Sequence, residues 1–89
     1  MSKPAFVQGR LVISKKGRDT GRAFIILQML SEEYALIADG ALRTAERPKK
    51  KKIKHLAPKP ALIPLWPGMS DSDIRKAIRA AMPDDARTE

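Results

Sequence analysis

Four prolines, Pro58, Pro60, Pro64 and Pro67, fall within ten residues of one another. Proline lacks a backbone N–H and fixes φ, so the stretch that holds them is barred from a helix and from the middle of a sheet. The segment Ala57-Pro58-Lys59-Pro60-Ala61-Leu62-Ile63-Pro64-Leu65-Trp66-Pro67-Gly68-Met69 therefore separates whatever precedes it from whatever follows. The expected organisation is a folded unit over residues 5–57, a proline-rich linker over 58–69 and a short helix over 70–82.

Before the prolines, the apolar residues come in short β-rich runs. Leu11, Val12 and Ile13 lie in one. Phe24, Ile25, Ile26 and Leu27 lie in the next, and Leu36 and Ile37 in a third. The polar turn Lys15-Lys16-Gly17-Arg18-Asp19-Thr20-Gly21-Arg22 joins the first two, and Ser31-Glu32-Glu33 joins the next two. Asp39-Gly40 follows the third run and is a strong short-hairpin signal, because such turns need residues that tolerate positive φ. Further strands are expected over Ala41–Ala45 and Lys52–Leu56. Five short strands in about fifty residues predict a mainly β fold, a small barrel whose closure removes the exposed edges.

After the prolines the period changes. Ile74, Ala77, Ile78, Ala81 and Met82 recur at helical spacing and form one apolar face. Ser70 suits the N-cap, Asp73 stands where a capping box needs it, and Pro83 is placed to end the helix. Asp71 and Asp73 read as helix-cap residues, Asp84 and Asp85 as a frayed end. A helix this short is marginal alone, so its apolar face must pack on the barrel or on a partner.

Charge is as unevenly distributed as proline. The 89 residues carry a net charge of +8. Residues 43–59 alone hold Arg43, Arg47, Lys49, Lys50, Lys51, Lys52, Lys54 and Lys59 against Glu46, a local excess of +7. Clustered basic charge is the electrostatic footprint of a polyanion partner. Lys15, Lys16, Arg18 and Arg22 crowd the first turn and form a second candidate phosphate clamp. Gly21 is the position in that turn expected to need positive φ, and Asp19 reads as a turn former. The aromatics Phe6, Phe24, Tyr34 and Trp66 make up only 4% of the chain, too few for a platform that stacks successive bases. Binding led by phosphate and shape is the expectation, as for structured RNA. Trp66 is expected to fasten the linker to the barrel or to serve a docking peptide.

Enzyme chemistry lacks parts. There is no cysteine and a single histidine, His55, with no acidic cluster at metal-ligand spacing in residues 1–56. No phosphate-binding glycine loop or nucleophile triad appears, and no cofactor or small-molecule substrate is expected. No apolar run reaches the length of a membrane span, and Met1–Val7 lacks the apolar core of a signal peptide. A cytoplasmic, monomeric protein is the expectation.

The stretch from Gly9 to Leu27, a strand leading into a basic turn, a glycine and a second apolar strand, resembles the KOW motif, with Gly21 at the motif's central glycine. The continuation through Tyr34–Gly40, Arg43 and Lys49–Leu56 fits the same pattern. The chain over residues 5–57 thus resembles bacterial KOW-domain RNA-binding proteins, which are similar to KOW-containing large-subunit ribosomal proteins of archaea and eukaryotes. The resemblance implies an SH3-like barrel that binds ribosomal RNA without catalytic residues and that has ribosomal proteins as possible neighbours. The residues after Leu56 depart from the ribosomal members. The RNA-contacting set is expected to be Lys15, Lys16, Arg18, Arg22, Arg43, Arg47, Lys49, Lys50, Lys51, Lys52 and Lys54, with Gly21, Asp39 and Gly40 shaping turns. The alternatives are a protein-interaction module that docks through the linker and helix, and a transcription-linked KOW module.

Overall fold

The computed structural model describes residues 5–82. Five strands, β1 (Arg10–Ser14), β2 (Ala23–Met29), β3 (Tyr34–Ala38), β4 (Lys49–Lys52) and β5 (Leu56–Leu62), form one antiparallel sheet in the order β4-β3-β2-β1-β5. One helix, α1 (Asp71–Ala81), follows. Among the described residues no helix is long and apolar enough to cross a membrane.

The central strands are apolar on both faces, and the structure gives each face its own core. Val12, Phe24, Ile26, Ala35, Ile37 and Leu56 pack together on one side, with Phe6, Met29 and Ile53 at the margin. Leu11, Ile25 and Ala38 pack on the other, beneath Ile63 and Ile74. Successive residues of a strand point to opposite faces, so Leu11-Val12 and Phe24-Ile25-Ile26 serve both cores in turn. Strands covered on both sides read as unbroken apolar runs. The helix face at Ile74, Ala77, Ile78, Ala81 and Met82 is therefore part of the protein's own second core. Burying a side chain such as Ile74 contributes about 1.5–3 kcal/mol.

The helix starts where the sequence predicts. Ser70 Oγ accepts from the Asp73 N–H at 3.1 Å, and Asp73 Oδ2 accepts from the Ser70 N–H at 3.1 Å. This reciprocal box lowers the Asp73 pKa, through the Ser70 backbone hydrogen bond first. Pro83, Asp84 and Asp85 lie outside the described residues.

Three expectations change. First, no strand forms over Ala41–Ala45. Asp39 and Gly40 do turn the chain, but into a loop that runs to Pro48 instead of a tight hairpin. Asp39 Oδ1 accepts from the N–H groups of Ala41 at 3.0 Å and Arg43 at 2.9 Å, which draws the loop around the carboxylate. Gly40 has φ +79°, and a Cβ there would collide with the Asp71 carbonyl of α1. The glycine lets the helix dock against the loop.

Second, the strand expected over Lys52–Leu56 is divided. β4 ends at Lys52, Ile53–His55 make one 3₁₀ turn, and Leu56 begins β5. The Ile53 N–H donates to the Glu33 carbonyl at 2.8 Å and sets the bend.

Third, β5 crosses the boundary expected between residues 57 and 58 and carries Pro58 and Pro60 within it. Among the described residues it pairs only with β1, placing Leu56 opposite Ser14 and Pro58 opposite Val12. An edge strand bonds on one side only and so tolerates residues that lack an N–H. The pairing is irregular between Arg10 and Val12, and there the Arg10 guanidinium donates to the carbonyls of Lys59 at 3.2 Å and Pro60 at 3.1 Å. No ladder joins β4 to β5, so the sheet is open and the closed barrel is not formed. β4 and β5 are the two edges of the sheet, and Pro58 and Pro60 leave β5 without two of the N–H donors that a further ladder could use.

Candidate nucleic-acid interface

The turn between β1 and β2 is closed by its own backbone. The Gly21 N–H donates to the Ser14 carbonyl at 2.8 Å, and the Ser14 N–H to the Arg22 carbonyl at 3.0 Å. Gly21 has φ +86°, and a Cβ there would meet nothing within 4 Å. The glycine thus serves backbone geometry, and its N–H is already used within the turn.

Asp19 stands at the centre of this turn. Its Oδ1 accepts from Ser14 Oγ at 2.7 Å and Lys51 Nζ at 3.0 Å, and its Oδ2 from Lys49 Nζ at 3.3 Å. Lys51 Nζ also donates to the Lys16 carbonyl at 2.8 Å. Burial acts to raise the Asp19 pKa, but the bonds from Ser14, Lys51 and Lys49 outweigh it and hold the carboxyl far below its usual range. The Lys15 N–H donates to the His55 carbonyl at 2.8 Å, a second link between the same segments. The two basic clusters, some thirty residues apart in sequence, therefore form one region.

The four lysines of β4 divide by strand period. Lys51 is only 7% exposed and turned inward, opposite Ala35. Its ammonium is held by protein groups, so it anchors the turn and does not present its charge to solvent. Lys49 shares the Asp19 carboxylate and is partly covered. Lys50 and Lys52 point outward. Lys50 Nζ lies 4.6 Å from the Tyr34 ring centroid, so the ring is covered by a cation. Such an exposed contact contributes about 0.5–1 kcal/mol.

Lys15, Lys16, Arg18, Arg43, Arg47 and Lys54 are exposed. Arg22 is half-exposed, and its Nε donates to Asp39 Oδ2 at 2.6 Å. Burial again acts to raise the Asp39 pKa, and the bonds from Arg22, Arg43 and Ala41 outweigh it and lower it. Arg18, Arg22, Arg43 and Lys49 line one groove, whereas Arg47 lies farther along the loop that leads to β4. His55 reports the field of the whole region. Partial desolvation first, and then the ammonium groups of Lys16, Lys54, Lys51 and Lys52, push its pKa below the ordinary value. Among the described residues no group of three His, Cys, Asp or Glu side chains could hold a metal ion.

Two organising residues escape a reading of the sequence alone. Asp19 is the pivot of the region, and the available signal was a single acid placed among four cations in a turn. Arg10 staples β1 to β5 and nothing in its neighbours announces it. Trp66 is 50% exposed, and Ile63, Leu65 and Met69 do the fastening expected of it.

No family model matches the chain. Individual proteins do. A large ribosomal subunit protein eL14 of Hyperthermus butylicus is 30% identical over 78 residues, covering 88% of this chain and 80% of its own length. That of Desulfurococcus amylolyticus is 33% identical over 75 residues, covering 84% and 78%. That of Staphylothermus marinus is 30% identical over 78 residues, covering 88% and 81%. The aligned share exceeds what residues 5–57 alone would supply, so the likeness extends into the proline segment and helix that the KOW-type resemblance left out. With this identity over most of both partners, the chain belongs to the eL14 family of large ribosomal subunit proteins.

Proposed function

We propose that this protein binds ribosomal RNA on the large subunit, with its open, SH3-like β sheet presenting one basic surface to phosphates. The observation that carries the reading is the coupling through Asp19. One carboxylate fastens the basic turn to the lysine strand, and the outward cations Lys15, Lys16, Arg18, Lys50, Lys52 and Lys54 are left around the junction. Arg22 and Arg43 extend this surface along the Asp39 loop, and Arg47 continues it. Lys51 supports the surface from within. The names of the relatives, all large ribosomal subunit proteins, favour the ribosome as the location. The function requires no catalytic group, cofactor or small-molecule substrate.

Phosphate-led binding predicts a strong salt dependence. Each neutralised phosphate releases counterions, so about five contacts give a log–log slope of affinity against salt near −4. A titration of the full chain against a structured ribosomal RNA fragment at several salt concentrations measures it. A slope near zero overturns the reading. Docking through the helix has less support, because Ile74 is buried in the second core and Ala77, Ile78, Ala81 and Met82 pack partly buried against it.

A further inference from the structure

The groove between the β1–β2 turn and the Asp39 loop differs from the rest of the basic surface. It encloses about 390 Å³ and is lined by Arg18, Thr20, Arg22, Leu42, Arg43 and Lys49, with Asp19 and Phe24 completing its wall. Pockets that hold small organic groups occupy about 300–1,000 Å³. Leu42 is 69% exposed. It sits at the tip of a loop pinned on both sides. The N–H groups of Ala41 and Arg43 are tied to Asp39 Oδ1, and those of Asp39 and Gly40 to the Arg43 carbonyl at 2.9 and 3.0 Å.

A phosphate is poorly served by a leucine. Two of the four cations, Arg22 and Lys49, are already engaged by Asp39 and Asp19. Arg18 and Arg43 make no ion pair among the described residues. The groove therefore offers a fixed apolar surface flanked by two free planar guanidinium groups. That combination suits a flat, apolar-faced, hydrogen-bonding group linked to a phosphate. Guanidinium groups stack on bases and fork onto phosphates. Sequence-reading proteins take RNA bases from loops and bulges, because the A-form major groove is closed to side chains.

We infer that this groove seats one unpaired RNA base, its face against Leu42 and its flanking phosphates on Arg18 and Arg43. The inference rests on the RNA-binding reading above and gives that surface a preference for bulged or looped RNA over plain duplex.

The test uses the full chain and two RNA hairpins with identical stems, one carrying a single bulged 2-aminopurine. The expected result is tighter binding of the bulged hairpin, with a change in 2-aminopurine fluorescence on binding. Leu42→Ala removes most of the apolar surface and is expected to weaken the bulged hairpin by about fivefold. It leaves the plain hairpin and the melting temperature unchanged. Leu42→Trp, which offers a larger stacking face, is expected to increase the preference. Equal affinity of the unmodified chain for both hairpins overturns the inference, as does a preference that survives Leu42→Ala. Failure of the RNA reading itself looks different: a flat salt dependence on both hairpins.

Discussion

The two edges of the sheet solve the same problem with opposite chemistry. An exposed edge strand invites pairing with another chain, and proteins blunt such edges with charge or with proline. β4 is blunted by lysine, and β5 by Pro58 and Pro60. The consequences differ. A lysine edge repels other basic strands yet attracts phosphate, so it remains a candidate binding surface. The proline edge lacks two of its N–H donors, and the chain continues from it across the outer face of the sheet to deliver α1. One edge presents the candidate RNA surface while the other begins the segment that covers the second core. The β4 side should therefore govern RNA affinity and the β5–α1 side stability. Lys51 is where the two roles meet in one strand.

The largest expected effect lies on the β5–α1 side. Ile74 is 1% exposed and packs in the second core with Leu11, Ile25 and Ile63. Ile74→Ala is expected to cost about 2–4 kcal/mol, the usual range for such a truncation in a core. Denaturant unfolding measures the loss, and the salt slope of RNA binding at a temperature where the variant is folded should not change. A variant that keeps its stability would mean that the helix does not hold the outer face. A changed slope would place RNA contacts on the helix side, at Arg75, Lys76 and Arg79.

The next effect is on the lysine edge but on its inner side. Lys51→Gln leaves Asp19, which is 10% exposed, with a weaker partner in place of an ammonium. Breaking a buried pair costs about 3–5 kcal/mol, and the Lys49 bond to the same carboxylate brings the expectation down to about 2 kcal/mol. Lys50→Gln, one residue away and outward, should shift stability by no more than about 0.5 kcal/mol. Acid gives an independent check. The folded Asp19 pKa lies below its ordinary value of 3.8, so the unfolded chain takes up protons first as pH falls. The stabilisation is full above the unfolded pKa and is lost as pH drops through it toward the folded value. Between pH 6 and pH 2 the unmodified protein should lose a large part of this contribution, whereas Asp19→Asn, already weakened at pH 6, should fall less steeply. Parallel curves would show that Asp19 is not the pivot.

How much of this was legible in the sequence depends on whether a residue's neighbours carry a pattern. The three central strands and the capped helix were, because apolar runs, turn residues and Ser70 with Asp73 are local signals. β5 was hidden because proline excludes a central strand but leaves an edge open, and nothing local says which strand is an edge. The inward turn of Lys51 was hidden for a different reason. Four identical residues have no period, so the face that each one occupies is set only by pairing with β3. The doubled core was partly written in Phe24-Ile25-Ile26-Leu27, a run with no polar alternation. For the candidate interface, residue types point to the cations proposed for it, but the link between Asp19 and two lysines thirty residues away is tertiary and had no local trace.

The smallest expected stability effect belongs to the outward lysines, and it is where the comparison of edges is most exposed to refutation. Lys50, Lys52 and Lys54 are all exposed, and among the described residues none of them makes an ion pair. Changing all three to Gln removes charge without opening a cavity or stranding a partner, apart from the cation over Tyr34. Each such surface change typically stays within about 0.5 kcal/mol, and the loss of repulsion among the lysines works the other way, so the melting curve should barely move. The same triple variant removes up to three phosphate contacts, and the salt slope of RNA binding should flatten by about two to three units. The matched change on the other edge is Pro58→Thr with Pro60→Thr, which restores two N–H donors and leaves the charge unaltered. That variant should keep the full salt slope. Its expected failing is self-association at high concentration, seen by sedimentation, as the edge regains the capacity to pair. If the proline variant loses the salt dependence and the lysine variant keeps it, the two edges have been assigned the wrong way round.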